Sequence, residues 1–199
     1  MQKYKVNLSK KGNQINSVDD WYNYAPPMDK DKHWKDGRSA KELAKYIIGG
    51  NGYLPQELED ILEKDIKCPQ DITLEGEPEA ITGLKSRGQG RTHDLLLVRE
   101  NEVVVGIEAK VDESFDETIC EIIKDSKTSE GKYKRLKYLY ECIYDSKINN
   151  EHLRYQLLTA TVGTLLEAEK AKAKKAVLVI ITFKSELADK SKMEKNKKN

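Results

Sequence analysis

The chain has 199 residues, of which 38% are hydrophobic and 35% are charged, and its formal net charge is +1. This length is sufficient to bury one hydrophobic core, and the composition is that of a polar-surfaced soluble protein rather than a disordered or membrane protein. Because the net charge is close to zero, no overall basic field indicates a nucleic-acid ligand, so such a role requires a local basic patch.

The remaining bulk features predict a cytoplasmic protein. The longest apolar runs, 103–105 and 176–181, are too short to cross a bilayer, and the basic N-terminus lacks the apolar region of a secretory signal. The cysteines are three in number and show no zinc-knuckle spacing, which favours reduced thiols.

Three parts follow one another along the chain. Residues 1–37 are predicted to be an extended segment, packed on the domain through its aromatic side chains, in which Pro26 and Pro27 interrupt any helix. Residues 38–186 are predicted to form one α/β domain. Residues 187–199 are Lys-rich and almost without apolar side chains, so we expect a mobile tail.

The first confident helix is predicted to begin near Ser39, with Ser39 as its N-cap and Glu42 as the capping-box partner. Further helices are predicted over 55–66, 116–125, 132–145 and 151–172, and strands over 79–84, 93–98, 103–111 and 176–183. The last strand is uniformly apolar and is expected to be buried on both faces. This order favours a mixed β-sheet flanked by helices.

The candidate catalytic and metal-binding residues are Asp94, Glu108 and Lys110. The acid-x-Lys pattern alone is common in so charged a chain, but the instance at Glu108 closes an apolar strand, where charge is costly unless it is used or paired. If the hairpin loop is 100–102, paired residues have indices that sum to 202, so Asp94 faces Glu108 with Cβ atoms about 4.5–5.5 Å apart. Lys110 then shares their face.

Two carboxylates in such a pair call for a cation, and Mg²⁺ suits an oxygen-only site. The trio supports phosphodiester hydrolysis, with Lys110 neutralising charge on the phosphate and the Ala109 carbonyl as a further oxygen ligand. His93 should point to the opposite face and is expected to be a satisfied core histidine. The alternative is a surface hairpin with incidental charges.

The pattern Asp94-x13-Glu108-x-Lys110 resembles the PD-(D/E)XK nuclease superfamily, whose fold is restriction-endonuclease-like with an αβββαβ core. More narrowly, the chain resembles an uncharacterised bacterial family of that superfamily. One departure is that His93 stands where the superfamily has a proline. The resembling segments are 34–44 (WKDGRSAKELA), 78–84 (PEAITGL), 93–95 (HDL), 108–115 (EAKVDESF), 131–136 (GKYKRL) and 153–161 (LRYQLLTAT).

The resemblance implies two further site residues. Glu79 corresponds to an extra acid that related nucleases place before the hairpin as a metal ligand, and Gln156 to a helix-borne glutamine that faces the lysine. For each, the alternative is an ordinary exposed polar residue. Candidate phosphate or base contacts are Lys85, Arg87 and Arg91 in a Gly-rich loop, and Arg154 and Tyr155 on the long helix, all of which equally fit solvated or packed surface roles.

The resulting expectation is a metal-dependent nuclease that acts on DNA or RNA with Mg²⁺ or Mn²⁺. The alternative is a module that keeps this fold and binds nucleic acid or a protein without cleavage. A homodimer is compatible with the sequence, and neither a membrane nor a small-molecule cofactor is indicated.

Overall fold

The computed structural model describes residues 4–66, 72–84, 90–125, 129–144 and 152–187. It is a mixed α/β structure built on one six-stranded sheet with the order β2-β1-β3-β4-β5-β6. The strands are β1 (Tyr4–Lys10), β2 (Asn13–Gln14), β3 (Ile72–Thr82), β4 (Arg91–Arg99), β5 (Val103–Lys110) and β6 (Lys175–Thr182). The helices are α1 (Val18–Tyr24), α2 (Lys30–His33), α3 (Ser39–Ile48), α4 (Gln56–Ile66), α5 (Ile119–Lys124), α6 (Glu130–Glu141) and α7 (Tyr155–Lys170).

The sheet is covered by helices on both faces. On one face, α1, α3 and α4 pack against the strands around a core that includes Trp21, Leu43 and Leu97. On the other face, α7 packs against β4, β5 and β6 and, through Leu158, joins a second cluster with α5 and α6. Among the described residues, no helix is both long enough and apolar enough to span a membrane.

The N-terminal segment differs from the prediction of an extended chain. Tyr4, Val6 and Leu8 are buried while the residues between them are exposed, which is the two-residue period of a strand. β1 accordingly pairs in parallel with β3, inside the same sheet. Ser17 then begins α1, because its side chain accepts a hydrogen bond from the Asp20 amide. Residues 4–33 therefore contribute two strands and two helices.

The start of α3 also differs from the prediction. Arg38 is the N-cap and makes no side-chain capping bond, so Ser39 is the first helical residue. The Glu42 carboxylate accepts from the Gly37 amide at 2.8 Å instead of bonding to a capping serine. The helix ends at Gly49, within the predicted glycine-rich stretch.

The hairpin is confirmed with its predicted register. Pairing runs from Arg99 with Val103 to Leu95 with Ile107, so the indices of each pair sum to 202. Asn101 in the loop has φ 61°, the left-handed conformation that three-residue hairpin loops require. All eight residues of β5 are buried, which places the charged end of this strand in the interior.

The prediction that the last strand is buried on both faces is wrong. β6 pairs in parallel with β5 and is the last strand of the sheet in the described part of the chain. Of its residues only Val179 is buried, and Ile180 is 37% exposed. An apolar run predicts a strand that packs against other elements, but it does not show whether the strand lies in the middle or at the edge of the sheet.

We predict that Gly106→Ala destabilises the protein by about 1–3 kcal/mol, because it overpacks the contact between β5 and α7. A Cβ at this position would lie 2.3 Å from Thr164 Oγ1. Thermal unfolding measures the effect, at about 2–4 °C per kcal/mol for a chain of this size. The control is Gly83→Ala, where a Cβ meets nothing within 4 Å. Equal melting temperatures for the two variants would contradict the close approach.

Candidate functional site

A cleft of about 1090 Å³ lies where the sheet meets the N-terminal segment, the loop after β5 and the start of α7. The sheet contributes Glu79, Asp94, Ala109 and Lys110 to its lining, and α7 contributes Gln156. Five residues that the sequence analysis singled out as metal ligands or catalytic groups, Gln156 among them, therefore line one cavity.

The side-chain alternation of two strands breaks at this cleft. In β4, Leu95 and Leu97 face the core under α3, yet His93 lies against Gly163 of α7 on the other face. In β3 the break is at Glu79, which has the left-handed φ of 49°. Ala80, just beyond it, packs with residues on the α7 face. Pairing between the two strands continues on both sides of the break, so both strands turn over together.

Asp94 lies at this break, and the predicted cross-strand pair with Glu108 does not form. Pairing between β4 and β5 ends at Leu95 and Ile107, one position earlier. The Asp94 carboxylate then takes the place of a backbone acceptor, because its Oδ2 accepts from the Ala109 amide at 2.7 Å. The two acids remain neighbours through Ala109, but the regular spacing assumed in the prediction requires an unbroken ladder.

Glu108 is 1% exposed and its carboxylate has three neighbours. It forms an ion pair with Arg91, it lies 3.6 Å from His93 Nδ1, and Gln156 Nε2 donates to it at 3.4 Å. Arg91, a predicted phosphate contact, thus neutralises a buried acid, and its contact with nucleic acid stays a prediction.

The prediction that His93 points away from the acids and is satisfied is wrong. The ring is fully buried on the side of Glu108, in space left by two glycines, Gly106 and Gly163. Neither ring nitrogen has a hydrogen-bond partner among the described residues. The cause is the turn-over at Asp94, which reverses the face that a regular strand would give to residue 93.

The ionised forms of Asp94 and Glu79, the two carboxyls that the sheet contributes to the cleft, are disfavoured. Burial raises the pKa of Asp94 to about 7, and the negative charge of Glu108 adds to this shift. Burial likewise raises the pKa of Glu79 to about 8, with a further contribution from Asp94, while Lys10 opposes it. Desolvation and like-charge repulsion both disfavour the ionised forms, and a bound cation relieves both.

The donor set fits a hard divalent cation in its chemistry. Asp94, Glu79 and the Ala109 carbonyl offer oxygen ligands, which Mg²⁺ prefers. In the described part of the chain, no three His, Cys, Asp or Glu side chains are already gathered closely enough to hold a metal. Glu108, the other predicted ligand, is paired with Arg91. Recruitment of Glu108 as a ligand requires this ion pair to open.

Two of the predicted nucleic-acid contacts are placed in structural roles. Arg154 lines the cleft, but its guanidinium also donates to the Asp116 carbonyl at 3.0 Å and ties the start of α7 to the loop after β5. Tyr155 is partly buried against the α5–α6–α7 cluster, with Lys132 Nζ 6.0 Å from its ring centroid. Lys85 and Arg87 lie outside the described residues.

Several cleft residues were not anticipated from the sequence. Lys32 and His33 of α2 line the cavity, and so does Arg38, which binds Asp112 at 2.8 Å. Lys32 and His33 belong to the N-terminal segment and Arg38 to the start of α3, and none of the three was predicted to be a site residue. The run of acids directly after Lys110 was a usable indication, since a buried strand end followed by Asp112 needs a cationic partner.

We predict that the metal-free protein loses stability as the pH rises from about 4 to about 8. A carboxyl with a raised pKa binds its proton more tightly when the chain is folded, so the free energy of unfolding falls as that proton is lost. Asp94→Asn should flatten this dependence, and Mg²⁺ should raise the melting temperature more at pH 8 than at pH 5. Melting curves in EDTA and in Mg²⁺ test both points. An unchanged pH profile in the variant would count against the strained carboxyl.

We predict that Arg91→Met destabilises the metal-free protein by about 3–5 kcal/mol, because it leaves the buried Glu108 carboxylate without its ion-pair partner. Mg²⁺ should then raise the melting temperature more in this variant than in the wild type. The matched control is Arg99→Met on the same strand, since Arg99 is exposed and lies 4.0 Å from Glu102, which is only partly buried. Equal metal-induced shifts in the Arg91 variant and the wild type would show that Arg91 does not compete with the metal.

Comparison with known proteins adds a family and no activity. No curated protein and no solved structure matches the chain. One family matches residues 14–196, and its description is a domain of unknown function. This match covers the sheet from β2 onward, all seven helices and every residue of the cleft. The chain therefore belongs to the DUF6946 family.

Proposed function

We propose that this protein is a metal-dependent nuclease that hydrolyses phosphodiester bonds of DNA or RNA. The observation that carries the proposal is that Asp94, Lys110 and Gln156 line one cleft, while Gln156 also contacts the buried Glu108. An acid pair, an amine and an amide from β4, β5 and α7 are thereby brought to one place. The order of these elements is also that of a restriction-endonuclease-like core.

Each residue has a distinct role in this proposal. Asp94, Glu79 and the Ala109 carbonyl hold a Mg²⁺ or Mn²⁺ ion, with Glu108 joining them when Arg91 withdraws. The bound ion polarises a phosphoryl oxygen and makes a water molecule more acidic. Lys110 neutralises charge that develops on the phosphate. Gln156 orients the Glu108 carboxylate through its hydrogen bond.

A polyanion requires a cationic contact at the rim of the cleft, because carboxylates outnumber cations in its lining. Two of these acids are paired within the protein, Asp112 with Arg38 and Glu117 with Lys132. Lys32 lines the same cleft on the short helix α2 and supplies a positive charge there. Phosphate contacts from such residues position a strand without reading its sequence.

The second candidate is a module that binds nucleic acid without cleaving it. The observation in its favour is the ion pair between Arg91 and Glu108, because a neutralised carboxylate has no electrostatic need for a metal. Cleavage assays separate this candidate from the nuclease.

We predict Mn²⁺- or Mg²⁺-dependent cleavage of linear, circular or single-stranded substrates, lost on chelation. Asp94→Asn and Lys110→Met should each lower the rate by about 10²–10³-fold, the usual cost of removing one group that stabilises the transition state. Lys137→Met is the control, since this exposed lysine lies on α6 outside the cleft. Metal-independent binding with no cutting under any of these conditions would establish the module instead.

We predict that Lys32→Gln weakens binding to nucleic acid, because it removes one contact with a phosphate group. The plot of log binding constant against log salt concentration should become shallower by about one unit, because one fewer counterion is released. Fluorescence anisotropy in EDTA measures this without cleavage, with Lys137→Gln as the matched control. An unchanged slope for Lys32→Gln would place the strand elsewhere.

A further inference from the structure

Lys110 is a nearly buried residue whose ammonium group has no acidic partner in the described part of the protein. The residue is 8% exposed, and its ammonium group forms no ion pair or hydrogen bond with any described residue. It lies close enough to Asp94 to lower the pKa of that carboxyl, yet the two do not pair. Lys110 lines the cleft, so a neighbour that fixes the ammonium without pairing with it would leave it accessible to a ligand there.

The group that holds it is the ring of Phe115. The Lys110 Nζ atom lies 5.4 Å from the ring centroid, within the range of a cation–π attraction. Phe115 is itself 4% exposed, which gives the ring a fixed place. The aromatic face stabilises the positive charge without neutralising it, so the ammonium stays available to an anion.

The loop between these residues is folded to bring the ring back to the lysine. The Glu113 carboxylate accepts from the Val111 amide at 2.8 Å and from the Ser39 hydroxyl at 3.1 Å. It also accepts from the Ser39 amide at 3.3 Å, so it joins the loop to the first turn of α3. The ion pair between Asp112 and Arg38 adds a second tie to the same helix start.

We propose that Phe115 is a positioning residue that keeps the Lys110 ammonium apart from Asp94 and directed at a phosphate group in the cleft. Without the ring, we expect the ammonium to turn toward the Asp94 carboxylate, which its charge already influences. An ion pair between them would remove the amine from the phosphate and the carboxylate from the cation. This inference rests on the proposed nuclease function for its catalytic consequence, but the position of the ammonium can be measured without activity.

The first test measures the position of the Lys110 ammonium group relative to the Phe115 ring. Lysines are reductively methylated with ¹³C, which keeps their charge, and the Lys110 signal is identified by its loss in Lys110→Arg. Protons above an aromatic face are shielded, so we expect an upfield Lys110 methyl signal in the wild type. It should move to the ordinary lysine position in Phe115→Leu and stay upfield in Phe115→Trp. An unshifted wild-type signal would overturn the proposal.

The second test measures the consequence for cleavage. Phe115→Leu should lower kcat by about 2- to 30-fold, the range of cation–π free energies converted to a rate, while Phe115→Trp restores it. Because the displaced ammonium would compete with the cation for Asp94, the rise in melting temperature with Mg²⁺ should be smaller in Phe115→Leu than in the wild type and should be restored in Phe115→Trp. Wild-type kcat in Phe115→Leu would overturn the positioning role. If the wild-type protein cleaves nothing but shows an upfield Lys110 signal, the contact between Lys110 and Phe115 is supported. Only the nuclease proposal is then contradicted.

Discussion

The burial of one carboxylate at the end of a fully buried strand governs the arrangement around it. Glu108 is held inside the protein by Arg91, with His93 and Gln156 as its other neighbours. A charge in that position must be matched, so the surrounding chain is built to supply cations and donors. Gly106 belongs to the same arrangement, because only a residue without a side chain lets the histidine ring and α7 approach β5.

The turn-over of β3 and β4 distributes the acids between two environments. Glu108 lies in the interior and is neutralised by the protein, whereas Asp94 and Glu79 face the cleft with raised pKa values. Both sets are close enough to repel one another. Three carboxyls are thus close together at one point on the sheet, an arrangement found both at functional sites and in structural ion-pair networks.

The cleft is completed by parts of the chain that lie outside the central strands. The N-terminal segment contributes Lys32, the start of α3 contributes Arg38 and the loop after β5 contributes Asp112. The same loop places the Phe115 ring against Lys110. Contacts between the start of α3 and this loop close one side of the cavity and determine where Lys110 can lie. The amine of the acid-x-Lys pattern is thus set in place by residues distant in sequence as well as by its own strand.

The sequence by itself determined the elements with strong periodicity and the residues that meet at the cleft. The hairpin register followed from loop length and alternation, and Asp94 and Lys110 from the acid-x-Lys pattern at its end, whereas Glu79 and Gln156 followed from the family resemblance. Tertiary structure alone decided that β1 belongs to the sheet, that β6 is an edge strand and that His93 faces Glu108. These features depend on which strands become neighbours and on a break in alternation with a left-handed Glu79, and neither leaves a periodic trace in a single sequence.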